Sequence, residues 1–82
     1  MRSIKYLSGS SAEAIEYIVN PGSIITTAPL KDIDFPEDAI IGGVIRGGEA
    51  FVAVGSTEIR AYDSVVVIAL PSALQKVDKF FV

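Results

Sequence analysis

The sequence predicts one small α+β domain, and three observations carry that expectation. The chain is 82 residues long, enough for one compact domain and too short for two. Half of it is apolar, and Ile with Val supply twenty residues against four Leu, a bias that suits strands, where β-branched side chains keep their preferred rotamers. Residues 71–81 break the strand rhythm: Ala73, Leu74, Val77, Phe80 and Phe81 follow the helical i, i+3, i+4, i+7, i+8 spacing.

Residues 3–7 alternate apolar Ile4 and Tyr6 with polar Ser3 and Lys5, as a half-buried strand does. Ser8, Gly9, Ser10 and Ser11 form a turn by composition. Residues 12–19 fit two readings. Ser10 and Glu13 stand at capping-box spacing and Ala12, Ile15 and Val19 share a helical face, whereas Ile15, Tyr17 and Val19 equally line one side of a strand. Asn20-Pro21-Gly22-Ser23 stops either one. Ser23 then caps a short, irregular helical segment through Ile24, Ile25, Ala28 and Leu30, limited by Pro29, which lacks a donor and disfavours helix at Ala28. The following loop is anchored by Ile33 and Phe35. Residues 39–45 and 50–54 flank Gly47-Gly48, and a hairpin with a type I′ turn needs positive φ at both central positions. Strict alternation puts Ile41 and Ile45 on one face of the first strand and Ile40 and Val44 on the other. Ile59 plugs inward from the next loop. Residues 64–70 read as a strand apolar on both faces, and Pro71 suits the first turn of the closing helix.

Seven basic against ten acidic residues give a net charge of -3, and no Lys/Arg cluster exists to displace counterions from nucleic-acid phosphates. The longest apolar run, residues 65–70, is six residues, where a membrane span needs about twenty. The expectation is a soluble, cytoplasmic chain. The absence of Cys and His removes disulfides, thiolate nucleophiles, His-dependent triads and zinc sites. General acid–base work near neutral pH would then need a strongly perturbed carboxylate or Lys, so the sequence points away from an enzyme and offers no metal site.

Asp32, Asp34, Glu37 and Asp38 lack the register of a calcium loop and read as solvated charges. Asp63 beside Ser64 reads as a turn with an Asx-type hydrogen bond. Arg46 and Lys31 are candidate anion contacts, weighed against loose surface ion pairs. The segment 20–25 joins polar Asn20 and Ser23 to apolar Ile24 and Ile25 at a helix start, where free N–H groups attract anions. Plain turn-and-cap chemistry explains the same residues.

Taken in order, these pieces resemble a known family. Glu13, Glu16 and Val19 make an E-x-x-E-hydrophobic-x-V strand, followed by Pro21-Gly22-Ser23, Pro29-Leu30-Lys31-Asp32, Asp34-Phe35-Pro36, a G-x-I-R-x-G run from Gly43 to Gly48, and a last strand leading into Pro71, Leu74 and Val77. The string resembles the C-terminal domain of TrkA-type potassium-uptake regulators, also called the RCK C-terminal domain. The resemblance implies a strand for residues 12–19, the element order β-β-α-β-β-β-α, and one regulatory domain over 1–82, of which 1–11 would be the linking strand and turn from a preceding Rossmann-type dinucleotide-binding domain. It implies a cytosolic, non-catalytic ligand-sensing and dimerisation module of a potassium-uptake system, with a membrane transporter subunit as partner. The same type of module on another cation or anion transporter, or on a transcription regulator, is the alternative. No cofactor is implied in this domain; a cyclic dinucleotide or other small anionic effector is, and the composition of the 20–25 turn and the planar fork of Arg46 place it at Asn20, Ser23, Ile24, Ile25 and Arg46. Two departures stand out. Tyr62-Asp63 replaces the family's usual Gly-Asp, so that turn is expected to avoid positive φ, and Gly55-Ser56-Thr57 replaces Gly-Asp-Thr. Two short helices cover one face of such a sheet, so the other apolar face is expected to be closed by a second copy in a two-fold homodimer.

Overall fold

The stretch after Ser11 is a strand: from Glu13 to Val19 buried residues alternate with half-buried ones, which is the period of two and not the helical period. The computed structural model of the chain describes residues 2–6 and 11–82, with side chains from 11 onward; Leu7 and the turn expected at Ser8, Gly9 and Ser10 lie outside the described residues. Strands β1 (Arg2–Tyr6), β2 (Glu13–Ile18), β3 (Ala39–Arg46), β4 (Glu49–Val52) and β5 (Ser64–Ala69) form one antiparallel sheet in the order β1-β2-β5-β3-β4. The expected α+β order holds. The first helical segment consists of two 3₁₀ turns, Ile24–Thr26 and Leu30–Asp32, because Pro29 interrupts any longer helix. The closing helix is shorter than its periodicity suggests: a 3₁₀ turn, Pro71–Ala73, leads into α1 (Leu74–Asp78), and Phe80 and Phe81 follow in a final turn.

One face of the sheet is covered. Ile15, Tyr17, Val44, Val65, Val67 and Ala69 point from it into the core, met from above by Ile25, Ile59, Ala73, Val77 and Phe81, all buried. The Tyr17 and Phe81 rings stack at 4.2 Å between centroids, and Phe35 meets Phe80 edge-on at 5.2 Å. The Tyr17 hydroxyl also donates to Asp78, so the end of α1 is fastened to the sheet at both a ring and a polar atom.

The other face carries Ala14, Ile18, Val66, Ile68, Ile40, Ile45 and Val52, with Glu16 and Ser64 as its polar members in β2 and β5. Ser64 donates to the Glu16 carboxylate. Among the described residues no helix packs on this face, and Ile40 remains 63% and Val52 77% exposed.

Strict alternation along β3 fails at one place. The register against β5 shifts between Ile41 and Gly43, so Gly42 is an extra residue in the ladder. The bulge sets Ile41, opposite Val67, and Val44, opposite Val65, on the covered face together, and sends Ile40 and Ile45 to the open one. The β3–β4 turn is as expected, with φ of 57° at Gly47 and 82° at Gly48.

The turn before β5 does not avoid positive φ. Tyr62 takes φ 71° while 77% exposed, and its N–H donates to the Val19 carbonyl at 2.8 Å. The bond to Val19 and the docking of Asp63 fix that conformation against the steric preference of a side chain. Tyr62→Gly is therefore expected to stabilise the domain by about 0.5–1 kcal/mol, read as a higher urea midpoint at unchanged slope.

Candidate functional site

Residues 20–25 form a tight knot rather than an open helix start. The Ser23 N–H and hydroxyl both donate to the Asn20 carbonyl, at 3.2 and 2.7 Å. The Ile25 N–H donates to the Phe80 carbonyl at 3.0 Å, and the Asn20 amide donates to the Phe81 carbonyl at 3.2 Å. The N–H groups of Thr26 and Thr27 are taken by Ser23 and Ile24. Ser23 and Ile25 are fully buried, which leaves Asn20 and the half-exposed Ile24 as the solvent-facing members of the expected ligand set. The segment latches the C-terminal turn onto the sheet.

Arg46 sits at the same end of the sheet but makes its own site. Its Nε and one terminal nitrogen grip the two carboxylate oxygens of buried Asp63 at 2.9 and 2.7 Å, and the terminal nitrogen also donates to the Glu58 carbonyl at 2.9 Å. The guanidinium lies 5.2 Å from the centroid of the Phe51 ring, within cation–π range. Asp63 further accepts the Arg60 N–H at 2.8 Å. Burial pushes the Asp63 pKa up, but the hydrogen bonds from Arg46 and Arg60 and the charges of both residues outweigh it, so the carboxyl titrates below its ordinary range. This planar, two-point pair is more specific than a loose surface contact. Asp63 ties Arg46 to the end of β2, just before the 20–25 knot, through its carbonyl, which accepts the Val19 N–H at 2.9 Å.

A second feature brings Lys31, the other candidate anion contact of the sequence, together with residues of β3 and of the first helical segment that the sequence did not join into a site. Strand β4 stops opposite Gly43, so among the described residues Ala39–Ile41 of β3 have no strand partner on that side. The chain after β4 and the second 3₁₀ turn frame the gap: Leu30 and Lys31 donate backbone N–H groups to Thr57 and Gly55 at 3.0 and 2.9 Å. A Cβ on Gly55 would stand 3.3 Å from the Lys31 Cβ, so the close approach of the two walls favours glycine there. The result is an open groove of about 330 Å³ floored by Ala39, Ile40 and Ile41 and walled by Leu30, Phe35, Ala53 and Val54, with exposed Lys31 among its lining residues. Apart from Lys31, the side chains that line it are apolar. The acidic residues Asp32, Asp34, Glu37 and Asp38 are exposed, and Asp38 accepts the Ser72 hydroxyl at 3.2 Å. The signal for the groove was the Pro29-Leu30-Lys31-Asp32 run, but its meaning depends on where β4 ends, which apolar patterning does not specify.

The TrkA-C domain model matches residues 14–82. The chain is 33% identical over 81 residues to the Trk system potassium uptake protein TrkA homolog 1 of Methanosarcina mazei, covering 99% of this chain and 18% of that protein. It is 37% identical over 75 residues to homolog 2 of the same organism, covering 92% of this chain and 17% of the relative. The Archaeoglobus fulgidus homolog is 31% identical over 78 residues, covering 95% of this chain and 18% of that protein. The chain thus spans less than a fifth of the length of the relatives it matches. No helix among the described residues is long and apolar enough to cross a membrane. With β2 through α1 in the expected order and the match running from Ala14 to the last residue, the chain belongs to the TrkA-C domain family.

Proposed function

We propose that this domain is a non-catalytic, cytosolic regulatory module of a potassium-uptake system, which pairs with a second copy and responds to a small anionic ligand. The observation that carries the ligand reading is the groove beside Lys31: an apolar lining for a flat ring with one ammonium for an anionic group. A cyclic dinucleotide combines those chemistries, and a two-fold pair would present groove and charge twice. Ile24, Asn20 and Arg46 are secondary to this site, since most donors of the 20–25 knot and the Arg46 fork are engaged within the fold. A ligand that binds one arrangement of two subunits better than another shifts their orientation by its differential affinity. An attached Rossmann-type domain would pass that shift to a membrane transporter subunit. The relatives' names as potassium uptake proteins support the placement.

Calorimetric titration with cyclic dinucleotides, mononucleotides and inorganic phosphate tests the ligand reading. Binding below millimolar by a ring-bearing anion, weakened about tenfold by Lys31→Ala, is expected, since one charge-assisted contact is worth about 1.5–3 kcal/mol. Binding unchanged in Lys31→Ala and in Ile40→Asp would remove the groove from the reading.

A further inference from the structure

The outer edge of β4 presents a hydrogen-bonding pattern complementary to its own copy. A two-residue turn joins β3 to β4, so Arg46 and Glu49 form the first mutually bonded pair and the ladder alternates from there. Glu49 and Phe51 therefore aim their N–H and C=O groups at β3, as Ala53 does in donating to Gly42 at 3.4 Å. Ala50 and Val52 aim theirs outward, and β4 is the last strand of the sheet. The pattern ends at Val54, whose N–H donates to Thr57 Oγ1 and whose carbonyl accepts the Thr57 N–H, both at 3.0 Å. At the other end it stops in the Gly47-Gly48 turn. Four outward groups remain, on Ala50 and Val52, with Phe51 between them. Natural edge strands are blunted by Lys, Pro or a bulge, and Ala50-Phe51-Val52-Ala53-Val54 contains neither residue, while the bulge of this sheet lies in β3.

We propose that two copies of this chain join through β4, antiparallel, with Ala50 opposite Val52 of the second copy and Phe51 on the two-fold axis opposite itself. This rests on the reading that the chain pairs with a second copy, and it moves the contact from the open face of the sheet, where the sequence led one to expect it, to the β4 edge. An antiparallel pair of identical strands is self-complementary and closes at two copies. Its register follows from the outward groups. Ala50 opposite Val52 satisfies all four of them. Setting Val52 opposite its own copy brings Ala50 against Val54, whose groups Thr57 holds, and setting Ala50 opposite its own copy brings Val52 against Gly48 in the turn. In the satisfied register Phe51 forms a non-hydrogen-bonded pair, in which Cα atoms approach to about 4.5 Å and side chains are closest. The Arg46 guanidinium 5.2 Å from the ring centroid holds that ring on the covered side of the sheet. Glu49 falls opposite Ala53 of the second copy, so no carboxylate faces another. Val52, 77% exposed in one copy, gains Ala50 of the other as its neighbour.

The chain has no cysteine, so single-cysteine variants read the register directly. Under mild oxidation Phe51→Cys is expected to form a covalent dimer at least about tenfold faster than Ala50→Cys or Val52→Cys, whose own-copy partners are diagonal and more than about 7 Å apart. Val52→Pro removes an outward N–H that the domain itself does not use, and is expected to lose the dimer by light scattering while keeping the circular dichroism of the folded sheet. Cross-linking fastest at 50 or 52 overturns the register. A wild type that is dimeric, with no preference at 51 and with Val52→Pro still dimeric, overturns the β4 junction and leaves the homodimer reading standing. A monomeric wild type overturns both.

Discussion

Phe81→Ala is expected to cost about 3–5 kcal/mol of folding stability, enough to leave a domain of this size partly unfolded at room temperature. Phe81 is 2% exposed, stacks on Tyr17 and meets Phe35 edge-on. Its carbonyl accepts the Asn20 amide, and the adjacent Phe80 carbonyl accepts the Ile25 N–H. Losing the ring therefore opens a cavity and loosens the latch that holds residues 20–25 and α1 over the sheet. Urea denaturation checks it. Phe81→Leu, which keeps most of the volume, is expected to lose less than half as much, whereas equal losses would mean that the ring geometry, not the filled space, sets the cost.

Asp63→Ala is expected to cost about 3 kcal/mol, because the buried carboxylate unites Arg46 of β3, the Arg60 N–H and, through its backbone, the end of β2. The loss is smaller than for a fully buried pair because the Arg46 side chain keeps some contact with water. The depressed Asp63 pKa gives the pair a pH signature. The native state binds this proton less readily than the unfolded chain does, so its contribution is complete above the ordinary Asp value near about 4 and is lost as the pH falls through the lower folded value. Urea midpoints taken across that acid range should fall for the wild type, and the part of the fall due to this carboxyl should be absent in Asp63→Asn.

The elements that packing alone decides were the legible ones. Gly47-Gly48 between two apolar runs admits one kind of turn, and the spacing of Ala73, Val77 and Phe81 admits one buried stripe, so both were readable without the fold. The stretch at Glu13–Ile18 was not, because Ile15 and Val19 satisfy a helix and a strand equally until β5 offers a partner. The phase of β3 was hidden for a related reason: Gly42 contributes no side chain, so nothing in the sequence marks it as the extra residue that turns Val44 inward and Ile45 outward. Tyr62 shows the converse failure, since its left-handed backbone is imposed by contacts to Val19 and Asp63's neighbours that a local rule cannot see. The site residues divide in the same way. Ser23 and Ile25 carry the composition of a binding turn but are spent on the C-terminal latch, and the Arg46–Asp63 fork joins residues seventeen positions apart. The groove at Lys31 exists because β4 ends before β3 does, a length difference set by the bonds of Val54 to Thr57.

A regulatory module that works through a pair must first be a pair. Sedimentation equilibrium of the 82-residue chain at micromolar concentration tests that most directly: a mass of twice the 8.7 kDa chain is expected, and a mass of 8.7 kDa at every concentration would contradict it.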